Sequence, residues 1–309
     1  MTNTQFFFAV GLLMFLIATP LLFAALTRIF VRDEPVAAVK PEPELLAQFA
    51  TLGDFWDGLV PHLRELRDRL VKCLVAVGIG TAIGFWIVST PTLLGKTLPD
   101  ILIDHFVPRG VDLQFVGAAE GFVNYMRVAL VIGVAGAVPL IVYQVIAFFV
   151  PGLLPREKRV LYTALPFVTE LFLAGLTFGW FFTIPAAMQF LLTFGSSERV
   201  TARPSFESFI AIVSTLLLWN GLIFELPAII YLLARLGIVN VQLLARTRRY
   251  AIVIITIAAA IITPTGDPYN LLLLAIPMYL LYELGIFLAR FVPVRTTSDD
   301  SGTPPMDPA

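Results

Sequence analysis

Cysteine is almost absent from this chain. Cys73 stands alone, so neither an internal disulfide framework nor a cysteine-based metal centre can form within it. Histidine is nearly as scarce: only His62 and His105 occur, too far apart in sequence to read as a ligand pair. No His-Glu-x-x-His helix, no Gly-x-Ser-x-Gly elbow and no phosphate-binding P-loop is present. These gaps argue against zinc hydrolases, serine esterases and nucleotide-driven motors, and the chain is read as a non-enzyme without cofactor or metal. Charge is the third shortage. Asp, Glu, Lys and Arg make up 14% of 309 residues, where a soluble domain carries about 25%. A net charge of −1 gives no reason to expect nucleic acid as a partner.

What fills the chain is apolar: 58% of residues are hydrophobic, gathered into long runs between short polar connections. In a bilayer every backbone N–H and C=O must be satisfied inside the segment, so such runs read as spanning helices. The first, Phe6 to Leu26, has no basic residue before it and no clear small-residue cleavage site after it, and is expected to be a retained helix. Further spans are expected from Val71 to Thr90, Val128 to Val150, Val160 to Phe194, Phe209 to Ala234, Tyr250 to Thr263 and Leu271 to Ala289. At roughly 1.5 Å per residue the run ending at Thr263 covers only about 21 Å, short of the roughly 30 Å of hydrocarbon, so local thinning of the bilayer is expected. The fold class is therefore all-α, a polytopic helix bundle.

Four regions follow: an extra N-terminal helix over 1–32, a linker rich in proline and acids over 33–52, a six-span core over 53–293 and a polar tail over 294–309 expected to be disordered. Just before the first core span, Leu59, Leu63, Leu66 and Leu70 repeat at helical spacing beside Arg64, Glu65, Arg67 and Arg69, the pattern of a helix lying at a membrane surface. Pro61 is expected in its first turn, where a missing N–H costs nothing. Alternating the connections puts sixteen Lys and Arg on one side and four on the other, with Arg127 near a span end. The positive-inside rule then places the C-terminus in the cytoplasm and the start of the extra helix outside.

Several separated stretches of the core resemble the TatC family, the signal-peptide receptor subunit of the twin-arginine protein translocase. They are His62-Leu63-Arg64-Glu65-Leu66-Arg67-Asp68-Arg69-Leu70; Tyr143-Gln144 with Ala147, Phe148 and Pro151, then Arg156-Glu157-Lys158-Arg159; Phe224-Glu225-Leu226-Pro227; and Leu274-Ala275-Ile276-Pro277-Met278-Tyr279 with Tyr282-Glu283-Leu284-Gly285. The resemblance implies a bacterial-type plasma-membrane protein, driven by the proton motive force, that binds the signal peptides of folded cargo. It also implies assembly with single-span TatA- and TatB-type subunits into homo- and hetero-oligomers. Two departures stand out. The extra helix is not part of the six-span pattern, and Asn270-Leu271 stands where the family often has Ser-Gln.

On that resemblance, Glu65, Arg67, Phe148, Glu157, Lys158 and Arg159 are candidate signal-peptide residues. A carboxylate accepts a guanidinium through two parallel hydrogen bonds, so two acids suit two arginines. The plainer reading is that each acid neutralises its basic neighbours, as exposed pairs worth about 0–1 kcal/mol. Glu225 and Glu170 lie inside apolar runs, where an ionisable group costs roughly 2.5–3.5 kcal/mol on the insertion scale and must face protein or water. For Glu170 a structural bond to a neighbouring helix competes with a polar cavity. Thr263, Asp267 and Asn270 are candidate contacts for partner helices. Pro139, Pro166, Pro185, Pro227 and Pro277 are expected to bend helices. For the extra helix, a specific contact with the outer hairpin between Thr263 and Leu271 competes with a peripheral anchor.

Overall fold

The computed structural model describes residues 52–91, 95–108, 111, 113–149, 155–194, 203–235, 237–263 and 267–292. The extra N-terminal run, its linker and the polar tail lie outside them. The described chain is helical throughout: α1 (Leu52–Ser89), α2 (Leu98–Phe106), α3 (Glu120–Phe149), α4 (Pro155–Phe178), a π-helical turn (Gly179–Thr183), α5 (Ile184–Thr193), α6 (Phe206–Phe224), α7 (Leu226–Arg235), α8 (Val241–Arg246), α9 (Arg248–Ile262) and α10 (Pro268–Ala289). Among the described residues five stretches are long and apolar enough to cross a membrane: 60–89, 120–148, 165–193, 206–234 and 268–289. The sixth apolar helix, α9, has 15 residues and a length of roughly 22 Å, as short as its sequence implies.

Several sequence expectations change. The surface helix and the first span are one continuous 38-residue helix that starts at Leu52, so Pro61 sits inside α1 rather than in its first turn. Pro61 therefore removes one bond of the i→i−4 ladder. The second core span begins at Glu120, eight residues before Val128, and takes Arg127 into the helix. The third expected span is interrupted by the π turn, directly before Pro185 at the second position of α5. Proline cannot donate to the carbonyl four residues back and its ring crowds that carbonyl, so the preceding turn widens. The fourth breaks at Glu225, two residues before Pro227. Pro139, Pro166 and Pro277 stay inside unbroken helices.

Helices in lipid gain little from hiding apolar area from one another, so they associate by close packing at small residues. That rule sets the two tightest crossings. A Cβ added at Gly80 would lie 2.7 Å from the Gly133 carbonyl oxygen, and one at Gly84 would lie 2.6 Å from that of Ala129, so α1 and α3 meet backbone to backbone. At the α4–α6 crossing a Cβ on Gly175 would collide with the Asn220 carbonyl, and one on Gly221 would lie 2.6 Å from the Phe172 ring. Three apolar clusters form among the described residues, two of them large. One gathers Leu102, Phe106, Ile184, Phe209, Ile210 and Val213 between α2, α5 and α6, and the other gathers Ile223, Ile255, Leu274, Met278 and Ile286 around α10.

Both ends of the bundle are tied by polar contacts. At the end where α1 starts and α3 stops, Tyr282 donates its hydroxyl to the Leu244 carbonyl at 2.9 Å. At the opposite end the strand-like residue Gln114 pairs with Ser205, with Phe206 N donating to Gln114 O at 3.0 Å. Beside it lies α2, a short helix the sequence pattern left as a connection. Its Pro99, Leu102 and Phe106 are buried, and Phe106 and His105 pack on Trp180 of the π turn.

Candidate functional site

The amphipathic start of α1 lands on the last turns of α3. The His62 and Phe148 rings stack with centroids 4.4 Å apart. Two turns along α1 from His62, Arg69 bridges the two helices: its Nε donates to Glu65 Oε1 at 2.9 Å and its Nη1 to Gln144 Oε1 at 3.3 Å. Gln144 is 8% exposed, so this bridge is partly removed from water and its geometry is held. The helical i,i+4 spacing of Glu65 and Arg69 brings the pair together, and α3 supplies the amide that fixes the guanidinium. Both bonds to Glu65 fall on Oε1. Arg67 points elsewhere, its Nη2 lying 2.8 Å from Asp68 Oδ1 in an exposed pair. Of the two neighbours expected to neutralise Glu65, then, Arg69 does so and Arg67 does not.

Glu157, Lys158 and Arg159 occupy the third to fifth positions of α4, at the same end of the bundle. The partial positive charge of a helix N-terminus favours an acid such as Glu157 there. The side chains of these three residues lie outside those described.

The second polar place is inside the bundle. Glu225 caps α6 at the break before α7 and is 8% exposed; neither carboxyl oxygen has a hydrogen-bond partner among the described residues. Leu226-Pro227 follows it directly, and the proline interrupts the spanning helix at this point. Glu170, on α4, is half-buried and makes no hydrogen bond among the described residues. Glu283 takes Arg248 Nη2 at 2.8 Å and the Tyr279 hydroxyl at 3.0 Å, which makes it a structural tie between α9 and α10.

Thr263 and Asn270 are each 5% exposed and turn into the bundle. Asp267 caps α10, its Oδ1 accepting from Asn270 N at 2.8 Å and its Oδ2 from Asn270 Nδ2 at 2.9 Å. Thr183, Thr263 and Asn270 border a small cavity with Leu216 and Leu274.

Sequence reasoning passed over some buried polar residues. Asn220, 1% exposed, accepts the Thr183 hydroxyl of the π turn at 3.2 Å and donates to the Leu216 carbonyl one turn back on its own helix α6 at 2.7 Å. Asn124 is fully buried on α3, and Arg127 reaches Glu207 of α6 at 3.1 Å. A polar residue within an apolar run was the available signal for Asn220, whereas Asn124 and Arg127 lay just outside the run as read.

A sequence model for the family described as Sec-independent protein translocase protein (TatC) matches residues 61–277. The TatC protein of Desulforapulum autotrophicum is 37% identical over 242 residues, 77% of this chain and 86% of that one. That of Deinococcus radiodurans is 36% identical over 271 residues, 87% and 96% of the two chains. A crystal structure of the twin arginine translocase receptor TatC superposes with a TM-score of 0.65 at 33% identity, covering 75% of this chain and 99% of that chain. The chain belongs to the TatC family of Sec-independent protein translocase proteins, as a core subunit of the Tat translocase.

Proposed function

We propose that the end of the bundle formed by the start of α1, the last turns of α3 and the start of α4 is the receptor surface for twin-arginine signal peptides. The observation that carries this reading is the Arg69 bridge: it anchors Glu65 through Oε1 alone and holds the carboxylate in place beside the stacked His62–Phe148 pair. An incoming guanidinium meets a carboxylate whose rotamer is already set, so less side-chain entropy is lost on binding. Glu157 takes the second arginine, Lys158 and Arg159 balance its charge, and Phe148 offers an apolar contact to the peptide beyond the arginines.

Under the same reading the basic side of the bundle is cytoplasmic and the membrane is the plasma membrane. Translocation then draws on the proton motive force with TatA- and TatB-type single-span subunits. Thr263, Asp267 and Asn270 serve those partners by shaping the outer hairpin, since two of the three face inward. Glu225 and Glu170 supply polar surface at membrane depth.

The test is site-specific photocrosslinking of a twin-arginine signal peptide to probes at Phe148 and Arg67. Crosslinks that disappear when the peptide's two arginines become lysines support the reading, because a lysine cannot make the paired bonds. Crosslinks of equal yield with the lysine peptide overturn it.

A further inference from the structure

We propose that the apolar run over residues 6–26 docks against the open face of α1 as an antiparallel neighbour, so that the chain carries its own single-span partner. This goes beyond the receptor reading and does not depend on it.

The face itself is unusual within the bundle. Only 11% of the spanning window of α1 is buried, against 33–50% for the other four long spans. Packing against α3 uses the side of α1 that carries Gly80 and Gly84. The opposite side repeats Leu74, Val75, Gly78, Ile79, Ala82 and Trp86 at helical spacing, all of them exposed. Leu74 is 71% and Trp86 69% exposed. Gly78 and Ala82, four residues apart, form a small-x-x-x-small pair, and a Cβ at Gly78 would meet nothing. A groove of that kind lets a second helix approach closely, which is the main source of association energy between helices in lipid.

The occupant follows from the chain. Residues 6–26 are 21 in number, enough for about 31 Å of helix, and α1 begins at Leu52. The intervening 25 residues, 27–51, have a coil span of about 25–30 Å, so the run is held near the start of α1 at an effective concentration of order millimolar. Consecutive elements joined this way are usually spatial neighbours. The α9–α10 hairpin is separated from α1 by the intervening α3 and α6, and the tether favours the nearer edge.

Antiparallel docking makes two pairings, Ala9 with Trp86 and Leu22 with Leu74. In full-length protein carrying Cys73→Ser, cysteines at either pair, oxidised in native membranes, are expected to give an intrachain disulfide. Adding Gly78→Leu is expected to cut its yield severalfold, while the unfolding temperature of the purified bundle stays unchanged. Disulfides between chains would assign the face to a second copy and overturn the proposal. So would an intrachain disulfide from Ala9 to Ile261 of α9 in place of Trp86, or no disulfide although both cysteines react with a maleimide.

Discussion

A carboxyl group at the break of a spanning helix, 8% exposed and without a hydrogen-bond partner among the described residues, is costly enough to ask for a purpose. Glu225→Gln keeps the shape and the hydrogen-bonding capacity, whereas Glu225→Leu keeps only the volume. Export of a Tat reporter is therefore expected to survive the first change and fall sharply with the second. Equal export by all three proteins would remove any polar role for this position. At the receptor end, each paired guanidinium–carboxylate contact is worth roughly 1.5–3 kcal/mol, so Glu157→Ala should weaken signal-peptide binding about tenfold or more without altering membrane insertion. Glu65→Ala should weaken it less, because part of the Glu65 carboxylate already serves Arg69. Titration of a labelled twin-arginine peptide measures both, and an unchanged affinity in the double variant would sink the two-acid reading. Glu65 and Glu225 were legible because each is an acid in a recognisable stretch. The Arg69–Gln144 bridge was not, because the two residues are 75 positions apart and nothing in the local pattern connects them.

Elements were easier to read where apolarity persisted and harder where it was interrupted. The six apolar segments of the core all form helices, since a run of apolar residues with no internal polar partner has no other way to satisfy its backbone in lipid. Breaks were less visible. Pro185 and Pro227 accompany a π turn and a helix end, while Pro139, Pro166 and Pro277 change nothing in the assignment, and the difference lies in neighbouring packing that no local pattern records. The short helix α2 was missed because only nine residues carry its amphipathic pattern and its buried face exists only against Trp180 and α6. The α1–α3 crossing offers a direct check on the role of glycine. Gly80→Leu forces the two backbones apart and is expected to lower stability by about 1–3 kcal/mol, an overpacking cost. Gly78→Leu, two residues away on the open side, should leave thermal unfolding in detergent unchanged. Equal losses from both would mean that the crossing is not set by Gly80.

For the whole molecule the decisive asymmetry is charge. Among the described residues twelve Lys and Arg fall on the side where α1 starts, and three on the other: Lys96, Arg203 and Arg127, the last paired with Glu207 beside Ser205. Basic residues resist transfer across a bilayer with a negative interior, so the bundle should sit with the α1 start, the α7–α9 connection and the C-terminus in the cytoplasm. Single cysteines at Val116 and Leu243 in a Cys73→Ser chain test this. Both are exposed, at 74% and 49%, and lie in the α2–α3 connection and in α8 at opposite ends of the bundle. In intact spheroplasts a membrane-impermeant maleimide is expected to label the first and to reach the second only after the membrane is opened. The reverse pattern would invert the topology and move the Glu65 surface to the wrong side for the signal peptide of a cytoplasmic cargo. Dual labelling of both cysteines in sealed cells would show instead that the chain inserts in two orientations and that its charge bias is too weak to choose.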